Sequence, residues 1–170
     1  IPHLIPQNQS LRKQNQIRSD FIMILVQNEN HLYLDINQEM LETAILLALS
    51  EFNQADVDLT LRLTDDTEMT SLNRAYRGLA ETTDVLSFNQ DIVDPETGCY
   101  YLGDIIISLE KAQSQALDHG HSLSEECTLL TIHGTLHLLG FDHDTPERTA
   151  EMWKMQEKLF DQVTSKFLER

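Results

Sequence analysis

The stretch "HGTLHLLGFDH", residues 133–143, sets three histidines at spacings of four and six, with a glycine between the last two. Residues four apart on an α-helix lie on one face a turn apart, so His133 and His137 direct two imidazoles at one point. Gly140 follows the last apolar residue of the helical stretch and is a natural C-terminal cap, able to take a positive φ and turn the chain back. His143 then reaches the same point from the loop. Two explanations compete: a buried helix carrying satisfied polar residues, or three ligands for one metal ion. Two buried imidazoles on an otherwise apolar helix each need hydrogen-bond partners, and one shared ion satisfies both, which favours the metal. Three neutral imidazoles leave a fourth tetrahedral position open, the arrangement of a catalytic rather than a structural zinc. The expectation is one zinc ion per chain, held by His133, His137 and His143.

Outward from this stretch, Ser122 and Glu125 form a capping box that opens the histidine helix. Leu123, Cys127, Leu129, Leu130, Ile132, Leu136, Leu138 and Leu139 wrap most of its circumference, which marks a helix at the centre of a domain. Just before it, residues 109–120 read as a helix ending at a glycine. "VDLTLRL" (57–63) alternates apolar and polar residues, as a strand with one buried face does. Asp65 and Glu68 make a second capping-box signature for a short helix that stops at Gly78. "IMILVQ" (22–27), "DVLSF" (84–88) and "LGDIIIS" (102–108) read as three further strands. Residues 38–52 carry Leu41, Ala44, Ile45, Ala48 and Phe52 at helical spacing. Thr145 and Pro146 suit the N-cap and first position of a last helix, whose apolar stripe is Met152, Leu159, Phe160, Val163 and Phe167. The expected fold is α+β, with about four strands and about five helices.

A chain of 170 residues with 41% hydrophobic side chains suits one domain and one core. The 12 Lys plus Arg against 28 Asp plus Glu, a net charge of −16, argue against a general nucleic-acid binder. Cys99 and Cys127 fit no disulfide framework and no C-x-x-C pattern, and are read as free thiols in a reducing cytoplasm. No apolar run approaches the length that crosses a bilayer, and the run Phe21 to Val26 lacks a small-residue cleavage site. Residues 1–22 are polar, begin without Met and carry three basic residues against one acid, so they are read as a non-native or disordered extension. Residues 23–170 are then a single metallohydrolase domain with 9 basic and 27 acidic side chains.

The spacing H-x-x-x-H-x-x-G-x-x-H is shared with the metzincin proteases, in which a Glu beside the first His is the general base. Gly134 stands there in this chain and takes no proton, so peptide hydrolysis by that route is not expected. Together with "LNRAYRG" (72–78), "TDVLSF" (83–88) and "LGDIII" (102–107), the histidine stretch resembles the YbeY family of bacterial metal-dependent endoribonucleases. The resemblance covers about residues 57–160, and its four blocks occur in one order. The resemblance implies a zincin-like fold with a mixed four-stranded sheet. It also implies a single-strand-specific, zinc-dependent endoribonuclease of the cytoplasm, acting in ribosomal RNA maturation and ribosome quality control. Its partners would be ribosomal RNA and the small ribosomal subunit with its proteins. His133, His137 and His143 carry over as metal ligands and Arg77 as the catalytic arginine; His133 counts with Arg77 among the catalytic residues.

A guanidinium suits that role because its planar fork of donors matches the non-bridging oxygens of a phosphodiester under attack. Taken alone, Arg77 also reads as a solvated cation beside a helix C-terminus. Arg74 reads as a surface residue. Asp104, after a glycine, reads either as a carboxylate that orients a ligand histidine or meets a partner, or as a residue of a strand-end turn. Asp142 and Asp144 flank His143 without being counted as ligands, and surface positions suffice for His31, His119 and His121. Two departures from the family pattern stand out: "LAET" (79–82) follows "YRG" where basic residues and a proline are common, which reduces local positive charge, and Asn89 follows "LSF" where proline is common. RNA is then gripped by a small basic groove around Arg62, Arg74, Arg77 and Lys111, or delivered by a ribosomal partner, which is the favoured expectation. The alternatives are a metallohydrolase of a small or peptidic substrate, against which Gly134 weighs, and a structural-zinc ribosome-associated module, against which the open fourth position weighs.

Overall fold

The computed structural model describes residues 18–19, 22–28, 36–54, 56–93, 95 and 98–168. Within them lie five strands, β1 (Arg18–Ser19), β2 (Ile22–Asn28), β3 (Val57–Thr64), β4 (Val85–Val93) and β5 (Tyr100–Ser108). The helices are α1 (Gln38–Glu51), α2 (Asp66–Arg77), α3 (Leu109–His119), α4 (Leu123–Leu138) and α5 (Pro146–Leu168). The fold is α+β with a mixed sheet in the order β1-β2-β3-β5-β4: β3 runs parallel to β2 and β5, and β4 runs antiparallel to β5. Two-residue β1 pairs with β2 and takes the strand number to five rather than about four. Most of the extension expected over residues 1–22 lies outside the described residues.

Strand alternation sorts the sheet into two faces. Leu59, Leu61, Leu63, Ile105 and Ile107 share one core cluster with Leu41, Ile45 and Leu49 of α1 and with Cys127, Leu130 and Leu138 of α4. Leu86 and Ile106 point the other way and pack on Met69 of α2. α4 is covered on its far side as well, where Ile132 and Leu136 meet Ala44 and Ala48 of α1 and Met152, Leu159 and Val163 of α5. The apolar residues wrapped around α4 in the sequence therefore bury against the sheet on one side and two helices on the other. Its buried threonines would be orphans in that setting, but Thr128, Thr131 and Thr135 each donate to the carbonyl four residues back at 2.7–2.8 Å.

The ends of α4 follow the sequence signals. Ser122 accepts from the Glu125 N–H while the Glu125 carboxylate accepts from the Ser122 N–H, completing the capping box. At the other end Gly140 has φ +93°, its N–H donates to the His137 carbonyl, and the Phe141 N–H donates to the Leu136 carbonyl, the paired bonds of a Schellman turn. Asp65 caps α2, but Glu68 accepts from Thr64 and ion-pairs with Arg62.

Gly134 faces the sheet rather than the histidine side of α4. A Cβ built there would lie 2.7 Å from Ile105 Cγ2 and 3.0 Å from Ser87 Oγ, so glycine lets α4 approach β4 and β5 closely. Gly134→Ala should gain about 1 kcal/mol of helix propensity and lose about 1–3 kcal/mol to overpacking. A lowered Tm is the expected net result in thermal unfolding; an unchanged or raised Tm would mean the sheet yields freely. The same contact explains why a metzincin-type Glu has no place at this position.

Candidate metal centre

His133 and His137 project from the last two turns of α4, and the Schellman turn returns the chain so that exposed His143 faces them. One nitrogen from each ring lies within 4.8 Å of one from each of the others. The His137 ring stands nearly perpendicular to that of His143, centroids 5.1 Å apart, and at 74° to that of His133, 4.6 Å away. Outer contacts fix the two helix rings. His137 Nδ1 lies 3.0 Å from the Phe141 carbonyl oxygen, which only accepts, so Nδ1 carries the proton and Nε2 is bare. His133 Nδ1 lies 3.0 Å from Gln156 Oε1 on α5, which assigns its proton in the same way. The two bare Nε2 atoms then face each other at 3.1 Å, where two lone pairs repel unless a cation lies between them. This donor set fits a metal ion, with the outer partners that ligand imidazoles ordinarily have.

Burial pushes His133 below the ordinary histidine range, against the opposing influences of Gln156 and Asp84. Burial also lowers His137, and the neighbouring His133 and His143 add to the effect. Both shifts favour the neutral imidazole, the form that ligates. A cavity of about 560 Å³ opens over the cluster. His133, His137, His143, Arg77 and Arg148 line it, with Ser87 and Asn89 of edge strand β4 and Asp84 just before that strand.

The structure brings Arg77 to this cavity from the last turn of α2, where Gly78 ends the helix. The expected basic groove of four is not assembled there. Arg62 is paired with Glu68, and among the described residues the cations lining the cavity are Arg77 and Arg148, the latter held by both oxygens of Asp144 at 2.9 and 3.0 Å. Asp104 does not orient a ligand histidine. It lies in β5 just past the bulge that faces Asp58 and Leu59 of β3, pairs in register with Thr60, and accepts from Tyr101 at 2.7 Å. As the neighbour of Ile105 along the strand, it points to the α2 face, away from α4.

Asp142 caps the His143 N–H at 2.7 Å. Asn89, the departure from proline, donates to the Leu138 carbonyl at 2.8 Å and so ties the end of α4 to β4. His119 and His121 are not simply surface residues, since both reach the buried carboxylate of Glu126. His31 lies outside the described residues. Burial, with Glu126 adding to it, pushes the Cys127 thiol up to about 12, so it is inert as a nucleophile. No helix among the described residues is long and apolar enough to cross a membrane.

Fold and site together define a class: an α+β protein whose central helix and following turn gather three imidazoles able to hold a metal ion beneath an open cavity. Residues 24–164 match the family described as Endoribonuclease YbeY. Endoribonuclease YbeY of Desulfitobacterium hafniense (strain Y51) is 41% identical, over 78% of this chain and 98% of that protein. The protein of the same name from Symbiobacterium thermophilum is 49% identical, over 62% of this chain and 70% of its own length. The solution structure of TM1509 from Thermotoga maritima superposes with a TM-score of 0.56 at 25% identity, covering 88% of this chain and 93% of that one. The chain belongs to the endoribonuclease YbeY family.

Proposed function

We propose that residues 23–170 form one zincin-like metallohydrolase domain, a single-strand-specific, zinc-dependent endoribonuclease that acts on ribosomal RNA in the cytoplasm. The observation that carries this reading is the shared cavity, in which Arg77 and the three histidines line one wall system and the Nε2 atoms of His133 and His137 converge. His133, His137 and His143 would hold one zinc ion. When bound, zinc supplies Lewis acidity and makes water a usable nucleophile near neutral pH.

The chain's own residues do the rest. Gln156 and the Phe141 carbonyl hold the ligand rings in the tautomer that presents Nε2. The Arg77 guanidinium receives the phosphodiester, and its fork of donors meets the charge that gathers on the non-bridging oxygens; His133, counted with it as catalytic, would act through the ion it holds, since its Nδ1 is already taken by Gln156. Arg148 also lines the cavity, and it would offer a second positive group to the RNA backbone on exchanging its ion pair with Asp144 for a phosphate.

With a net charge of −16, the chain repels RNA at long range, so two cavity arginines suit a substrate presented by a partner. We assign that delivery to the small ribosomal subunit and its proteins. Peptide hydrolysis gains no support, because position 134 is pressed on Ile105 and Ser87.

The test is cleavage of a single-stranded ribosomal RNA fragment by purified protein, with and without a chelator, alongside thermal unfolding. Zinc-restored cleavage and a lower Tm on chelation are expected, because an ion bound only by the folded state stabilises it. Cleavage indifferent to chelation would overturn the proposal, and an unchanged melting curve would remove the ion from the folded core.

A further inference from the structure

A second cluster sits at the α3–α4 corner. His119 ends α3, Gly120 turns the chain, His121 precedes the Ser122 cap, and Glu126 lies on the first turns of α4. Glu126 is 1% exposed, yet its Oε2 lies 3.1 Å from His119 Nδ1 and 3.2 Å from His121 Nδ1. The three ligand atoms lie within 4.8 Å of one another. Ligand bonds of about 2.0–2.2 Å in a tetrahedral site place neighbouring donor atoms about 3.3–3.5 Å apart, so the two nitrogen–oxygen separations need to widen by only a few tenths of an ångström to admit an ion. The His121 ring is held on its other side by Phe160 of α5, centroids 5.6 Å apart, and the His119 side chain is 52% exposed, which leaves an entry path and room for water as a further ligand.

The charge points the same way. A buried carboxylate needs a compensating cation. Glu126 has both imidazoles as ion-pair partners, at 3.1 and 3.2 Å. A divalent ion held by all three side chains would supply that compensating charge.

We propose that His119, His121 and Glu126 form a second metal site, for a divalent first-row transition ion of the zinc type, with two nitrogen ligands and one oxygen ligand. Glu126 and His133 are seven residues apart on α4, so the two sites lie about 10 Å apart along one helix axis. The second site fastens the end of α3 and the α3–α4 turn to the helix that carries the first. Its role is structural support for that helix.

The experiment uses the full chain, equilibrated with buffered zinc and analysed for bound metal, in wild type, His137→Ala, His119→Ala and the double variant. His119 is half exposed at a helix end, so its replacement leaves the core intact; circular dichroism verifies this. Two equivalents in wild type, one in each single variant and none above background in the double variant are expected. Within the His137→Ala background, added zinc should raise Tm, and the rise should vanish in the double variant. Glu126→Gln, where it folds, should behave as His119→Ala does. The proposal is overturned if His137→Ala holds no more zinc than the double variant, or if His119→Ala keeps both equivalents. Because it is read in a chain lacking a ligand of the three-histidine site, the result does not depend on RNA cleavage.

Discussion

In His137→Ala, cleavage of single-stranded ribosomal RNA falls to background, and the chain loses about one equivalent of zinc relative to wild type. His137 is the middle member of the cluster, with its ring 4.6 Å from that of His133 and 5.1 Å from that of His143. Removing it leaves one helix imidazole and one exposed loop imidazole with nothing between them. Removal of an outer partner of a ligand ordinarily costs roughly 10–100-fold in metal affinity, and removal of the ligand itself should cost more. Gln156→Leu supplies the comparison. It deletes the acceptor 3.0 Å from His133 Nδ1 while keeping all three ligands, so zinc should be weakened but recoverable at higher concentration. Metal analysis and cleavage measured on the same preparations decide the matter. Undiminished zinc in His137→Ala would remove the three-histidine centre, and undiminished cleavage would point to a contaminating nuclease.

The parts of this centre that were legible in the sequence are those governed by local rules. The four-residue spacing of His133 and His137, the Ser122–Glu125 box and the positive φ of Gly140 are all decided within one or two helical turns, and each occurs as the residue types dictate. What the sequence left out is set by chain segments far apart. Gln156 reaches His133 from 23 residues away, and Asn89 reaches Leu138 from 49 away, and no periodicity signals either contact. Of the readings open for Asp104, the ligand-orienting one and the strand-end turn do not hold, because the residue lies inside a strand and faces away from α4. The strand begins at Tyr100 and passes through a bulge, and Gly103, at φ +151°, sits where a Cβ would strike the Phe88 carbonyl oxygen at 2.1 Å. Gly134 shows both sides. The sequence excludes a base at that position, but only the packing of α4 on Ile105 and Ser87 gives the reason for glycine. Arg62 is not a groove cation for the same reason: its partner Glu68, on α2, is set by tertiary packing that its strand's alternation does not announce.

Arg77→Ala should keep the zinc and the fold yet lose on the order of a hundredfold or more in RNA cleavage. The position is exposed at the last turn of α2, so replacement disturbs no core contact, while the guanidinium lines the cavity that the three histidines share. Two explanations of this residue make different predictions. If Arg77 serves only as a cation beside the helix C-terminus, its removal costs less than about 1 kcal/mol of stability and leaves turnover alone. If its fork meets the charge developing on the phosphate, the loss appears in kcat, because the interaction strengthens as that charge forms. Arg77→Lys separates charge from geometry. An ammonium keeps the positive charge at the helix end and in the cavity but cannot make two parallel hydrogen bonds, so cleavage should stay well below wild type. The measurement is kcat and KM for wild type and both variants on one single-stranded ribosomal RNA fragment, with zinc content and Tm determined for each. Full cleavage by zinc-loaded Arg77→Ala would take the arginine out of the mechanism. Near-complete rescue by lysine would reduce its part to simple charge, leaving Arg148, which lines the same cavity, as the next group to replace.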